Sequence, residues 1–370
     1  MAAKLIMTQH DVDGHPEEWM KTRARSIGGS DIARLLGLAP KSHGSPFELF
    51  VEKLTGELIN PGDDEDDERA RGKALEGVVA EAFAVKRPDL EILPGGLFAD
   101  ADCPWMTATF DRFTVDRGAD KTKRTMAHTS AAYTDPDIMQ ILVPAELKTA
   151  ISRYDQAGRL LWGEEYTDQV PVWYKAQTLW QMQIWGADRV FVPVKFMGSW
   201  KTSLYIVNRT DEAQADIEFM VKMAAEFMDR LDRNDPPDLD WYPATMDALK
   251  FLNPLQEGTA YRATLTEAKQ LRAAYLRMKA AEERYRLLQN RLAAKAGGAQ
   301  KIVVPDPERT DGDGHPKDVA VMSRSRYEHP SYDLDRLRAE HPVVASQLER
   351  KTPVDKWSPG QRWMGLGKRS

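Results

Sequence analysis

Asp111 and the triplet Glu146-Leu147-Lys148 are the residues whose types and spacing best suit chemistry. If residues 145–149 form a strand, alternation puts Glu146 and Lys148 on one face. Two carboxylates beside a lysine are what metal-assisted phosphodiester hydrolysis requires. The acids hold hard cations that polarise the phosphate, and the lysine positions a water or stabilises developing charge. Taken alone, an acid-x-Lys triplet with an acid upstream is also a common accident of soluble chains. Its apolar approach (Ile141, Leu142, Val143 and Ala145) argues for more, because buried charges need partners. Glu76 adds a third carboxylate. At 100° per residue it lies at the edge of the helical stripe Leu75, Val79 and Ala82. It either turns inward toward a metal, pairs with Lys73, or faces water.

Gln177 and Gln181 stand one turn apart on a helix that is otherwise apolar nearly all round. Amides on such a helix meet a hydrogen-bond demand, which is either structural or that of a water, metal ligand or phosphate. Gly28, Gly29 and Ser30 open the apolar pattern Ile32, Leu35 and Leu36, with Ser30 read as the N-cap and Gly37 as the stop. Converging N–H groups there suit an anion, and Arg23 and Arg25 lie just upstream. Asp31 works against it, and an ordinary capped turn is the alternative.

The chain has 370 residues, with 51 Lys+Arg and 57 Asp+Glu, a formal charge of −6. Its single cysteine, Cys103, excludes a disulfide framework or a multi-cysteine zinc site, and the seven histidines offer no zinc pair. A metal site therefore needs oxygen ligands, which suit Mg²⁺, Mn²⁺ or Ca²⁺. No apolar run approaches the ~18 residues of a membrane span. Residues 1–14 lack a signal pattern, so a soluble, unexported protein is expected. Residues 261–370 carry 22 Lys+Arg against 14 Asp+Glu, a balance of +8, so the acidic total does not exclude a polyanionic partner. The acidic run 63–68 lacks the spacing of a calcium loop and reads as a solvated lead-in to a helix over 71–83.

Other elements follow from caps and periodicity. Residues 19–31 read as a loop feeding a short helix. Ser45-Pro46-Phe47-Glu48 starts another, stopping near Gly56. Strands are expected around 90–116, with Pro94-Gly95-Gly96 as turn residues, and residues 117–137 as a hairpin tip or mobile loop. A helix at 173–186, strands at 189–196 and 203–208 and a helix from Asp211 follow. The order implies an α/β fold with a mixed sheet flanked by helices. Residues 1–235 form the expected core, 236–260 a linker, and 261–370 an accessory arm. The arm has one long helix from the Thr264/Glu267 capping box to Gly297, a strand pair around 300–327 and a short helix at 333–340. Its charge suggests contact with DNA or a partner.

Five blocks, in order, resemble the YqaJ-type viral recombinases, relatives of phage lambda exonuclease within the PD-(D/E)xK nuclease superfamily. They are WMKTRARSIGGSD (19–31), RGKALEGVVAEAF (71–83), MTATFDRFTVD (106–116), AELKTA (145–150) and WYKAQTLWQMQIWG (173–186). The resemblance spans roughly 17–230, and SRYEHPSYDLDRLRAEHP (325–342) is similar to the extension of longer members. It implies a restriction-endonuclease-like core with a long-helix and β-hairpin arm. The implied activity is Mg²⁺- or Mn²⁺-dependent digestion of one strand of linear duplex DNA, 5′ to 3′, with two ions expected.

By the same resemblance Glu76, Asp111, Glu146 and the Leu147 carbonyl would be metal ligands. Lys148 would act on the attacking water, Gln177 would complete the site, and Arg23 and Ser30 would grip the 5′ phosphate. A phage single-strand annealing protein as partner, a ring trimer and the cytoplasm of a bacterial host are implied by analogy. The alternatives are an endonuclease or repair nuclease of the superfamily, or a catalytically silent DNA-binding scaffold. The chain departs from the family at Phe110-Asp111-Arg112, where Pro-Asp-Gly is usual, which puts Arg112 in competition for the carboxylate. It also departs in the long interval from Asp111 to Glu146.

Overall fold

Alternating apolar residues build seven strands into one mixed sheet in the computed structural model, which describes residues 3–40, 43–59, 63–155, 159–197, 201–310, 315–326 and 334–343. An amino-terminal strand, β1 (Ala3–Thr8), precedes α1 (Gln9–Gly14), α2 (Pro16–Ala24), α3 (Gly29–Leu35), α4 (Pro46–Thr55) and α5 (Asp63–Lys86). The next strands are β2 (Leu90–Asp100) and β3 (Thr107–Asp116), followed by α6 (Lys121–Met126), α7 (Pro136–Met139), β4 (Val143–Ala145) and β5 (Lys148–Ala150). Then come α8 (Val172–Trp185), β6 (Arg189–Phe196), β7 (Thr202–Asn208), α9 (Asp211–Asp232) and α10 (Pro243–Leu252). Strands β1, β2, β3 and β4 pair antiparallel in that order, β4 and β5 both run parallel to β6, and β7 closes antiparallel on β6. This is the mixed sheet flanked by helices that the element order implies.

Contacts divide the chain into two units, Met1–Pro254 and Leu255–Ser370. The second contains α11 (Leu265–Ala296), β8 (Lys301–Thr310) paired antiparallel with β9 (Pro316–Ser323), and α12 (Leu334–Glu340). Thr264 and Glu267 close the expected capping box on α11. The family-like stretch 325–342 lies partly outside the described residues.

Several segments differ from their sequence reading. The acidic run 63–68 is the first part of α5, where acids suit the positive helix end. Residues 19–24 belong to α2. Pro94-Gly95-Gly96 lies inside β2 and makes no turn. The register passes from Pro94↔Arg112 to Gly96↔Phe110, and a Cβ on Gly95 would meet the Phe110 carbonyl oxygen at 1.7 Å. Glycine there permits the close approach of β2 to the backbone around Asp111. Residues 117–137 fold into short helices that bury Ala127 and Ala132, and the Tyr133 hydroxyl donates to the Pro94 carbonyl at 2.7 Å. Within 236–260, α10 buries Ala248 with Phe47, Val51 and Ile59.

The core centres on Phe98, whose ring meets Phe110, Phe113, Tyr133 and Trp185 edge-on. Away from that core, Glu165 gathers Lys86, Lys201 and Ser203. Burial alone would raise its carboxyl, but hydrogen bonds from those three groups outweigh it and bring the pKa down to about 2. A lowered folded pKa gives stability that is present above the unfolded value and lost as pH falls through the folded one. Glu165→Gln should therefore lower Tm at pH 7 by about 2–4 °C. The difference from the parent should close between about pH 4.5 and pH 2. Thermal melts across that range check it.

Candidate active site

Strand β3 carries Asp111, and the break between β4 and β5 carries Glu146 and Leu147. The backbone N–H of Glu146 donates to Phe191 O at 2.9 Å, which ties the break to β6. The next N–H, of Leu147, donates to Asp111 Oδ2 at 2.7 Å. Residues 145–149 are thus an interrupted strand, yet the alternation holds across it. Lys148 Nζ donates to Glu146 Oε1 at 2.6 Å and to Gln177 Oε1 at 3.1 Å.

Helix α8 closes the site from one side. Gln177 Nε2 donates to Glu146 Oε1, while Gln181 Nε2 donates to Glu146 Oε2 and to Thr109 O. Both protons of the Gln181 amide have acceptors, and among the described residues its buried Oε1 has no hydrogen-bond partner. Turning the amide over would set that oxygen against the carboxylate, so the orientation is fixed by Glu146. Glu146 is only 2% exposed, so it depends on these donors.

The electrostatics follow from this crowding. Burial, then Glu146 and Glu76, push the Asp111 carboxyl well above the ordinary range, with Lys148 and the Leu147 N–H opposing. Burial raises the Glu76 carboxyl too, with Arg112 opposing and Glu146 reinforcing. Burial would lower the Lys148 ammonium, but Glu146, Tyr174 and Asp111 outweigh it and raise its pKa. Lys148 also sits 4.5 Å over the Tyr174 ring. Arg112 does not take the Asp111 carboxylate, because its Nη1 donates to the Asp111 main-chain oxygen at 2.6 Å.

Among the described residues, no three His, Cys, Asp or Glu side chains are gathered tightly enough to hold a metal as they stand. The residue types nevertheless fit a hard divalent cation. The donors are all oxygens, and the Asp111 carboxyl is raised first by burial and then by the charges of Glu146 and Glu76, which such a cation would offset.

The second group of sequence-selected residues lies at the α2–α3 junction. Arg23 Nη2 donates to Ser30 Oγ at 2.7 Å and to Asp31 Oδ1 at 3.1 Å, and the guanidinium lies 4.7 Å over the Trp19 ring. The N-cap of α3 is Gly28, not Ser30, and Asp31 Oδ2 accepts from the Gly28 N–H at 3.0 Å. A Cβ on Gly28 would stand 3.3 Å from Arg23 Nη2, and one on Gly29 3.0 Å from Gln177 Cγ. The glycine pair therefore lets Arg23 lie against one residue and α8 against the next. Ser30 is one residue from direct packing on Gln177, which joins the two groups. Sequence reading missed the engagement of Asp31 and the whole of Lys53. It weighed Gln181 without assigning it to the site.

This ordered set can be compared with known proteins. Residues 18–188 match the YqaJ-like viral recombinase domain. Every sequence-selected site residue falls within that YqaJ-like segment. A curated Bacillus subtilis (strain 168) protein, described as uncharacterized protein YqaJ, is 29% identical over 124 residues, covering 33% of this chain and 37% of that relative. The chain thus matches little more than a third of that relative's length. Among solved structures, similarity extends to an alkaline exonuclease from Laribacter hongkongensis at 16% identity and TM-score 0.35, covering 59% of this chain and 95% of that one. The same enzyme in complex with dAMP matches at 15% identity with the same coverage and TM-score. A protein designated SSO0001 matches at 10% identity and TM-score 0.32, covering 65% and 96%. Among the described residues, no helix is long and apolar enough to cross a membrane.

Proposed function

We propose that the chain is a metal-dependent exonuclease that digests one strand of linear duplex DNA from its 5′ end, exposing single strand for annealing. The observation that carries this reading is the hydrogen-bonded set Asp111, Glu146, Lys148 and Gln177 inside the YqaJ-like segment. Glu76, Asp111, Glu146 and the Leu147 carbonyl would hold Mg²⁺ or Mn²⁺, with two ions expected. Bound there, the cation supplies charge neutralisation and polarisation of the phosphate.

The protein's own groups do the rest. Burial would lower the Lys148 ammonium, but Glu146, Tyr174 and Asp111 raise it, which suits it to orient the attacking water and stabilise developing charge. Gln177 and Gln181 hold Glu146 in place from opposite oxygens. Arg23 and Ser30 grip the terminal 5′ phosphate, and their link to Gln177 through Gly29 sets the end of the strand beside the carboxylates. The reading places the protein in a bacterial cytoplasm with a phage single-strand annealing protein as partner, and with ring-forming copies of itself.

Timed digestion of end-labelled duplex tests the reading. Linear DNA should be shortened from 5′ ends with Mg²⁺ and left intact with EDTA, and closed circles should survive. Cutting of closed circles would make it an endonuclease, and metal binding without cutting a scaffold. Arg23→Ala should equalise the rates on 5′-phosphorylated and 5′-hydroxyl ends by slowing the former about tenfold or more. An unchanged ratio in the variant would remove Arg23 from the end-binding role.

A further inference from the structure

Lys53 and Asp31 form a brace around Arg23 that neither sequence position announces. Lys53 lies on α4, thirty positions from Arg23, with its side chain only 7% exposed. Its Nζ donates to the Arg23 main-chain oxygen at 2.8 Å and to Asp31 Oδ2 at 2.8 Å. Asp31 in turn receives the Arg23 guanidinium on Oδ1 and the Gly28 N–H on Oδ2. Arg23 is thus fastened at both ends, its backbone by Lys53 and its guanidinium by Asp31.

Charge makes the arrangement more than a staple. An Arg23–Asp31 pair alone is neutral and would offer a phosphate little attraction. Adding the Lys53 ammonium makes the trio net positive while keeping Asp31, which fixes the guanidinium against Ser30 and Trp19. A long arginine side chain carries substantial rotamer entropy, and less is lost on binding when the fold has already ordered it.

We propose that Asp31 and Lys53 are positioning residues that hold Arg23 for a terminal 5′ phosphate, with the Lys53 ammonium leaving the end-binding group net positive. This rests on the end-phosphate reading above. Asp31, a negative charge at the mouth of an anion site, thereby becomes part of its construction.

The test is equilibrium binding of fluorescent linear duplex to the full chain in EDTA, comparing 5′-phosphorylated with 5′-hydroxyl ends, so that no turnover is needed. The parent should prefer the phosphorylated end. Asp31→Asn and Lys53→Met should each lower that preference about tenfold, the equivalent of about 1.4 kcal/mol. Lys53→Arg, which restores a cation and donors, should recover most of it. In an Arg23→Ala background, Asp31→Asn should have no further effect on the ratio, because its action passes through Arg23. A merely structural role would lower Tm and weaken both ends alike, leaving the ratio unchanged; that result overturns the proposal. Should Lys53→Met fail to fold by circular dichroism, the ratio in Asp31→Asn decides by itself. A parent that binds both ends equally would overturn the end-phosphate reading and this proposal together. A discriminating parent whose Asp31→Asn variant discriminates equally well would overturn the proposal alone.

Discussion

Lys148→Ala should lower the digestion of linear duplex by about 10³-fold or more while DNA binding survives. Lys148 is the cation in direct contact with Glu146, and its ammonium also reaches Gln177. In the proposed reaction the phosphate would gain negative charge as water attacks, and a fixed, largely buried ammonium would oppose that charge strongly. Arg112, the cation that opposes the rise at Glu76, does not replace it, because its Nη1 donates to the Asp111 main-chain oxygen. The substitution also leaves Glu146 buried with only amide donors, so Tm should fall by several degrees even where circular dichroism shows the fold kept. Single-turnover digestion with saturating enzyme separates the two effects. A variant that retains cleavage within tenfold of the parent would sink the assignment of Lys148 to the reaction.

The second large effect runs in opposite directions for activity and stability. Asp111→Asn should abolish digestion, since it removes one of the carboxylates proposed to hold the cation, yet it should raise Tm in EDTA. Asp111 is ionised at a cost, because burial, Glu146 and Glu76 all push its carboxyl up. Asparagine keeps an acceptor for the Leu147 N–H and removes the charge. A group whose folded pKa is raised gives stability that is complete below the unfolded pKa and lost as pH rises through the folded one. The advantage of the variant should therefore be absent near pH 4, grow with pH, and level off above the raised pKa. Each ~1 kcal/mol corresponds to about 2–4 °C in a unit of this size. Added Mg²⁺ should stabilise the parent, by about 2.7 kcal/mol at one hundred times its Kd. It should do much less for the variant. Equal melting of the two proteins in EDTA at pH 8 would show that the carboxylates do not repel as argued.

The sequence carried the local and periodic part of this structure. Caps such as Ser45 on Glu48 and Thr264 with Glu267 join residues three apart, so composition and spacing suffice to find them. Strand alternation likewise brought Glu146 and Lys148 to one side, and it survived the interruption of the strand. The apolar run and glycine stop of α8 were legible for the same reason. The glycines were legible as breaks in pattern but not in their purpose. Gly95 reads as a turn until β2 is seen lying against the backbone next to Asp111.

Only the tertiary structure decided which charge meets which. Asp31 looks hostile to an anion in isolation because its two cations arrive from Arg23 on α2 and Lys53 on α4. Residues 117–137 look mobile because Ala127, Ala132 and Tyr133 find cover only once the sheet has formed. Gln181 belongs to Glu146 because α8 packs across the break between β4 and β5. Short-range interactions are set by backbone geometry that every chain shares, so they can be read residue by residue. Long-range partners depend on how whole elements pack to bury apolar surface, and a carboxylate's charge state is settled by whichever donors that packing delivers.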